Sequence, residues 1–281
     1  METREKRINE LWVTEEQSDH MKLSLRVSDV LLSKKSEYQE ILLVETLEYG
    51  RMLILDGAIQ ITERDEFTYS EMMAHVALCS HPDPKKVLIV GGGDGGVLRE
   101  VLRHRNIERA TLIDIDEEVI NASKKFLPTI SVALEDPRAD VRNLDAMKFV
   151  KDARGEFDVA IVDSTDPVEF AAGLFQAPFY KDVFSALKED GMMVAQTESP
   201  FTDTKIMQGA YREMGKAFPT VRMYWGAMPT YPSGMWTYTL GTKTADPSVP
   251  VRPAPEGTRY YTPEVHRAAF ALPPFLTDLL G

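Results

Sequence analysis

A doubly wound α/β sheet preceded by a small antiparallel β domain is the architecture this sequence predicts. Three observations carry it: helices and strands alternating from about Asp65 onward, a glycine loop between a strand and a helix, and a strand-rich segment before Glu63. Repeated β-α-β units build a parallel sheet covered on both faces, with ligands at the carboxyl ends of its strands.

The strand-like texture begins near Leu11. In Met21–Val27 apolar and polar residues alternate strictly, the mark of a half-buried strand. Glu40–Glu45 and Arg51–Leu55 follow, joined by a hairpin turn at Glu48-Tyr49-Gly50. Asp56-Gly57 turns the chain again before Ala58–Ile61. A sheet of about 50 residues buries little core by itself, so it is expected to pack on the rest of the chain or on a second subunit. The domain boundaries expected are 1–63 for this β domain and 64–281 for the remainder.

Phe67–Cys79 reads as a helix, and Lys86–Val90 as a short, almost wholly apolar strand from the middle of a parallel sheet. After the glycine loop come a helix at Val97–His104 and a strand at Ala110–Asp116. Glu117–Leu127 is a helix with acids at its start and Lys124 and Lys125 near its end, matching the macrodipole, and Pro128 is expected to stop it. Ala139–Leu144 and Phe157–Asp163 are further strands, Phe179–Lys188 a helix closed near Gly191, and Met192–Thr197 a strand. Ile206, Ala210, Tyr211, Met214 and Phe218 form a helical stripe, and Val221–Trp225 with Trp236–Gly241 suggest a closing pair of strands. There is no internal repeat and no long linker.

The 281 residues carry 32 Lys and Arg against 44 Asp and Glu, a net charge of −12. That balance argues against a nucleic-acid binder, whose affinity comes from cations neutralising phosphates. A polycationic partner fits it better. The single cysteine, Cys79, excludes an intramolecular disulfide and a cysteine-based zinc cluster, and the five histidines are scattered. No apolar run approaches the ~20 residues of a membrane span, and the first residues have no apolar core for export. The expectation is a reduced, cytoplasmic, metal-free protein without a membrane partner.

Gly91, Gly93 and Gly96 satisfy G-x-G-x-x-G between a strand and a helix, and Asp114 follows 23 residues after Gly91. That is the nucleotide-binding context. Asp94, however, sits inside the cradle. Facing a diphosphate, each unit-charge pair at ~4 Å would cost about 4 kcal/mol even at an effective dielectric of ~20. A cationic ligand reverses the sign, so Asp94 points to a sulfonium or ammonium compound rather than NAD or ATP. Decarboxylated S-adenosylmethionine suits it better than S-adenosylmethionine, whose carboxylate it would repel. The bland alternative is that Asp94 only caps the next helix.

Asp163 and Asp166 lie where a parallel strand delivers residues to the crevice, and with Asp94 and Asp114 they suggest a negative pocket. An Asx turn before Pro167 is the structural alternative. Asp145 can accept from an adenine amino group or simply serve as a surface turn residue. Tyr231, in the proline-flanked run Met228–Trp236, offers an aromatic face for an alkylammonium, or packs in the core.

The strings YGRMLILDGAIQITERDEFTYSEMMAH, GGGDGGVLREVLRH, DIDEEVI, DSTDP and PTYPSGM, in that order, resemble the spermidine synthases, as does the ending RYYTPEVHRAAFALPPF. The similarity runs from about Trp12 to Leu276. It implies a Rossmann-like fold of the AdoMet-methyltransferase type and transfer of an aminopropyl group from decarboxylated S-adenosylmethionine to putrescine, giving spermidine and methylthioadenosine. The nucleoside is then a co-substrate, and no cofactor is implied. Residue by residue, the resemblance has Asp94 bind the aminopropyl ammonium, with Gly91 and Gly93 in the nucleoside loop. Asp114 would hold the ribose hydroxyls, with Gln39 near the same end, and Asp145 would meet the adenine. Asp163 would be the catalytic acidic residue at the amine nucleophile, helped by Tyr69, while Asp166, Gln60 and Tyr231 contact the acceptor. The segment from Asp166 to Phe179 would be a gate, and the assembly a homodimer or homotetramer through the N-terminal domain. Two departures stand out: Ser70 where many relatives carry His or Gln, and Asp114 where many carry Glu.

A primary alkylamine has a pKa of ~10.4, so Asp163 at ~3.9 would be a base over six units too weak, roughly 9 kcal/mol uphill. Either burial raises Asp163 and the site lowers the amine, or the amine binds neutral. Rival readings on the same sheet are a methyltransferase, an NAD oxidoreductase, and a non-catalytic polyamine or nucleoside sensor.

Overall fold

The structure is a computed structural model describing residues 10–165 and 169–281. The chain divides into two compact units, one ending at Arg64 and the other beginning at Asp65.

The first unit is a five-stranded antiparallel sheet in sequential order: β1 (Leu11–Ser18), β2 (Met21–Lys35), β3 (Glu40–Thr46), β4 (Gly50–Leu55) and β5 (Ala58–Thr62). Glu15 on β1 accepts the Ile59 amide of β5 at 2.7 Å, so the sheet curls until its first and last strands meet. The inward residues Val27, Val44, Met52, Ile54 and Ile59 form its small core. The alternation at Met21–Val27 belongs to a longer strand than expected, because register shifts let β2 follow β3 as far as Lys35.

The second unit opens with α1 (Glu66–Ser80), every residue of which except Phe67 is buried. Then come β6 (Lys86–Gly91), α2 (Gly96–Leu102), β7 (Arg109–Asp114), α3 (Glu117–Phe126), α4 (Pro128–Ser131), β8 (Ala139–Asn143), α5 (Ala146–Asp152) and β9 (Phe157–Asp163). The chain continues through α6 (Ala177–Ala186), β10 (Leu187–Gln196), α7 (Thr204–Gly215), β11 (Thr220–Ala227), β12 (Met235–Thr242), α8 (Pro263–Ala269) and α9 (Pro274–Leu280). The seven strands lie in the order β11-β12-β10-β9-β6-β7-β8, with β12 antiparallel to both neighbours and the other pairings parallel. Side chains of β6 alternate: Val87 and Ile89 enter the core beneath α1 and α2, while Leu88 and Val90 enter the one beneath α5 and α6.

Several local expectations change, among them the strand expected to reach Asp116, which ends at Asp114 because Asp116 caps α3. Leu187 and Lys188 belong to β10 rather than the preceding helix, because Leu187 turns extended (φ −79°, ψ 145°) and pairs with Phe157. Pro128 does more than stop α3; it opens α4, where its missing N–H costs nothing at the first helical position. The helix after the glycine loop ends at Leu102, two residues early. At α3 the Asp116 side chain accepts the Glu118 amide at 3.1 Å, so that helix is capped as well as charge-matched. No helix among the described residues is long and apolar enough to cross a membrane.

Candidate active site

Strand order places the site. From β6 the chain winds outward through β7 and β8, then returns to lay β9 on the other side of β6, so the crevice opens between β6 and β9. In register, Gly91 pairs with Asp163 and Val90 with Ile113, which brings Asp163, the glycine loop and Asp114 to one edge.

The glycines permit that approach. Gly91 (φ +79°) and Gly92 (φ +69°) adopt left-handed backbone that side chains disfavour. A Cβ at Gly91 would lie 2.1 Å from the Asp163 carbonyl oxygen, and one at Gly92 would lie 2.6 Å from Asp163 Oδ2. The loop is therefore shaped to the end of β9 that carries Asp163.

Each carboxylate has a distinct anchor. Tyr69, on the first turns of α1, donates its hydroxyl to Asp163 Oδ1 at 2.6 Å. Asp114 accepts the Gly93 amide on Oδ2 and the Asp116 amide on Oδ1, both at 2.9 Å. Its two oxygens thus grip the glycine loop and the start of α3. Asp94 accepts the Gly96 amide at 2.7 Å, so the capping role holds, but its carboxylate also shares a half-buried edge with two others.

Burial and mutual repulsion push these acids up. Asp163 rises to about 8, first because it is shut away from water and then because of the Asp94 charge, against the pull of the Tyr69 hydrogen bond. Asp114 rises to about 6 by burial, although two backbone amides favour its charged form. Asp94 is also raised, chiefly by burial, with the Gly96 amide and the Arg99 guanidinium opposing. Tyr69 is driven well above its usual range by burial and by Asp163, so it stays protonated and remains a donor.

Tyr231 stands 5.6 Å from Tyr69, ring centre to ring centre, and meets Trp236 edge-on at 4.6 Å, so it both packs and walls the crevice. Asp145 is the N-cap of α5, accepting the Lys148 amide at 3.3 Å and pairing with the Lys148 ammonium. It is not joined by any hydrogen bond to the Asp94–Asp114–Asp163 group. Gln39 and Gln60 are half-buried and belong to the first unit; Gln60 Nε2 donates to the Ala58 carbonyl at 3.2 Å. Asp166 lies outside the described residues. Ser70 is buried and donates to Glu66 at 3.0 Å, which in turn takes both 2.8 Å bonds of Arg99, so this hydroxyl is engaged within the protein.

One residue at the site escaped the sequence reading. Ala195 pairs with Val162, which brings Gln196 level with Asp163, and its amide donates at 3.1 Å to both the Ser164 carbonyl and Glu198 Oε1. A polar residue closing an apolar strand was the available signal.

Among the described residues, His81, Asp158 and Asp190 bring ligand atoms within 4.8 Å of one another. Asp158 is already taken by the Lys188 ammonium at 2.7 Å and by the Lys85 and Lys86 amides. His81 Nδ1 accepts the Asp83 amide at 3.2 Å, so its neutral ring carries the proton on Nε2, the nitrogen a metal would need. This cluster fits a charge-paired structural knot better than a cation site.

Comparison with known proteins matches residues 66–252 to the spermine/spermidine synthase domain and residues 11–63 to the spermidine synthase tetramerisation domain. The chain belongs to the spermine/spermidine synthase family. It is 52% identical over 273 residues to a polyamine aminopropyltransferase of Caldicellulosiruptor bescii, covering 96% of this chain and 98% of that one. The enzyme of the same name from Shouchella clausii is 48% identical, over 96% of this chain and 99% of the other. A crystal structure of spermidine synthase in complex with the transition-state analogue AdoDATO superposes with a TM-score of 0.93 at 43% identity, over 99% and 98% of the two chains. Spermidine synthase from Thermotoga maritima gives 0.92 at 43% identity, with the same coverage. The family's Rossmann-like sheet is the one described above.

The raised Asp163 has a consequence for stability. Its folded pKa of about 8 lies above the ordinary ~3.9 of an unfolded chain, so its contribution is full below pH ~4 and is lost as pH climbs through 8. In the ligand-free protein, Asp163→Asn is therefore expected to raise the thermal midpoint by several degrees at pH 9 and by much less at pH 5. A midpoint difference that is the same at both pH values would contradict the raised carboxyl.

Proposed function

We propose that this chain transfers the aminopropyl group of decarboxylated S-adenosylmethionine to putrescine, giving spermidine and methylthioadenosine. The observation that carries the reading is the trio of half-buried, mutually repelling carboxylates at the strand switch point, Asp94, Asp114 and Asp163, with Tyr69 bonded to the last. A site that pushes its own acids towards neutrality is completed by a ligand bringing positive charge. Family membership and the AdoDATO-bound neighbour support the same chemistry.

In this reading the sulfonium nucleoside lies over the glycine loop, with Asp114 at the ribose hydroxyls and Asp94 at the aminopropyl ammonium. Gln39 and Asp145 serve the nucleoside end, and Gln60, Asp166 and Tyr231 the acceptor. The amine lone pair attacks the carbon beside sulfur, the new C–N bond forms as the C–S bond breaks, and its electrons leave on a neutral thioether. The proton shed by the amine passes to Asp163 or through it to water. With Asp163 near 8 instead of ~3.9, the gap to an alkylamine at ~10.4 shrinks to about 2.4 units, roughly 3 kcal/mol. A bound sulfonium favours the ionised form of Asp163 and the neutral form of the amine alike. Tyr69, locked as a donor, keeps one Asp163 oxygen oriented and leaves the other to face the nucleophile. Assembly into a homodimer or homotetramer through residues 11–63 belongs to the same proposal, supported by the tetramerisation-domain match and the half-exposed Leu11 and Trp12 on β1. A monomeric mass by light scattering at micromolar concentration would overturn that part.

The function is tested by mass-spectrometric turnover with putrescine, cadaverine, agmatine and spermidine in parallel, with S-adenosylmethionine as the control donor. Methylthioadenosine plus spermidine, formed fastest with putrescine, is the expected result; no product from any amine overturns the proposal. Asp163→Asn is expected to lose about 10²- to 10⁴-fold in turnover. Asp94→Asn should weaken decarboxylated S-adenosylmethionine roughly 10- to 100-fold, the usual worth of one hydrogen bond to a charged group. Unchanged apparent affinity in that variant would remove Asp94 from the donor site.

A further inference from the structure

The loop that carries Tyr231 is a compact, self-bonded unit. Tyr231 donates its amide to the Met228 carbonyl at 3.1 Å, Gly234 to the Tyr231 carbonyl at 2.9 Å, and Met228 to the Gly234 carbonyl at 3.0 Å. Ser233 (φ +64°) and Gly234 (φ +71°) hold the tight return. So closed a loop keeps its own shape, and besides the packing of the Tyr231 ring on Tyr69 and Trp236, the loop's anchors set where that ring stands.

One anchor is a 2.8 Å bond between the Ser233 and Ser199 hydroxyls, and the other is the first turn of α1. Asp65, at the N-cap position, makes no side-chain bond to the helix's own first-turn amides. The Thr68 amide and hydroxyl are instead satisfied by the Asp65 backbone carbonyl, at 3.0 and 2.9 Å. The carboxylate is thereby released from the usual capping role. It reaches across to the loop, where Oδ2 accepts the Thr230 amide at 3.1 Å and the Thr230 hydroxyl at 2.8 Å. Asp65 is 3% exposed and Thr230 fully buried, so water does not compete for these bonds. Thr68 Oγ1 also lies 3.3 Å from Met228 Sδ.

Asp65 and Tyr69 are four residues apart, one above the other on the same helical face. Thr230 and Tyr231 are adjacent in the loop. The start of α1 therefore grips the loop at neighbouring points, by a carboxylate on Thr230 and by the ring of Tyr69 5.6 Å from that of Tyr231. Since Tyr69 also holds Asp163 at 2.6 Å, the spacing between the aromatic wall and the catalytic carboxylate is set from one helix turn.

We propose that Asp65 is a positioning residue that fixes the Tyr231 wall relative to Tyr69 and Asp163, and so sets the fit of the amine acceptor. Asp65 itself does not touch substrate. The inference rests on the aminopropyl-transfer reading for the identity of the acceptor, but the loop clamp has a readout of its own.

The test uses Asp65→Ala, Asp65→Asn and the nearly isosteric Thr230→Val in the full-length protein, each checked for native circular dichroism. The expected kinetic result is a putrescine KM raised at least tenfold in Asp65→Ala, with the KM for decarboxylated S-adenosylmethionine within twofold of wild type. Thr230→Val should show a smaller rise in the same parameter. Asp65→Asn, whose amide oxygen still accepts from Thr230, should recover most of the loss. In a Trp12→Phe, Trp225→Phe background, acrylamide should quench Trp236, which packs on Tyr231, more strongly in Asp65→Ala than in Asp65→Asn. Folded Thr230→Val and Asp65→Ala proteins with unchanged putrescine KM would overturn the proposal, as would equal losses for both substrates in step with thermal stability. If wild type turns over no amine, the reaction assignment fails by itself, while the quenching comparison still decides whether Asp65 clamps the loop.

Discussion

Like charges forced together away from water are the constraint on which this structure turns. Asp94, Asp114 and Asp163 arrive at one crevice from three different strand ends; the charges of Asp94 and Asp114 raise the cost of ionising Asp163, and that of Asp94 raises the cost of ionising Asp114. An arrangement of that kind is a liability for a protein that only needs to fold. It persists because every carboxylate is tied to a donor that orients it: Tyr69 for Asp163, the Gly93 and Asp116 amides for Asp114, and the Gly96 amide for Asp94. Such tethers hold geometry without neutralising charge, and leave the site short of cations.

The scaffold follows from the need to hold that geometry. Register pairs Gly91 with Asp163, and only residues without a Cβ let the loop pass so close to the strand that carries the acid. Behind the loop, α1 and α2 are fastened by a buried charge chain: Glu66 to Arg99, Arg99 to Glu100, Glu100 to His75, and His75 to His104. Burial, and then the charges of His75 and Arg252, hold His104 down at about 3, so its ring is neutral at neutral pH. Glu71 completes the frame from the other side of α1, accepting the Arg259, Tyr260 and Tyr261 amides at 2.7–2.8 Å and pinning the C-terminal segment.

Much of this was legible in the sequence, and the parts that were not share a cause. The parallel strands announce themselves because a strand buried on both faces has no choice but Val, Ile, Leu and Ala, as Lys86–Gly91 and Phe157–Asp163 show. Asp94 stood out because a carboxylate in a phosphate cradle repels a diphosphate, whereas its bond to the Gly96 amide shows only in the structure. Leu187-Lys188 misled because its residues favour a helix and only pairing with Phe157 makes them strand. The partners of Glu66, Glu71 and Asp65 were invisible because α1, buried nearly all round, has no amphipathic face to mark polar residues as structural. Gln196 and the Thr230 clamp depend on contacts between segments far apart in the chain, which local pattern does not encode.

The central claim is that the crevice is held short of positive charge until a cationic donor arrives. Calorimetric titration of the ligand-free protein with decarboxylated S-adenosylmethionine at pH 7.5, repeated in phosphate and Tris, tests it most directly. Binding of the sulfonium should ionise Asp163, so protons are released and the measured heat depends on the buffer's ionisation enthalpy. Methylthioadenosine, lacking both the sulfonium and the ammonium, should release markedly fewer. Heats for the sulfonium compound that are the same in both buffers would mean that the acids are already ionised in the empty site, and the account would fail.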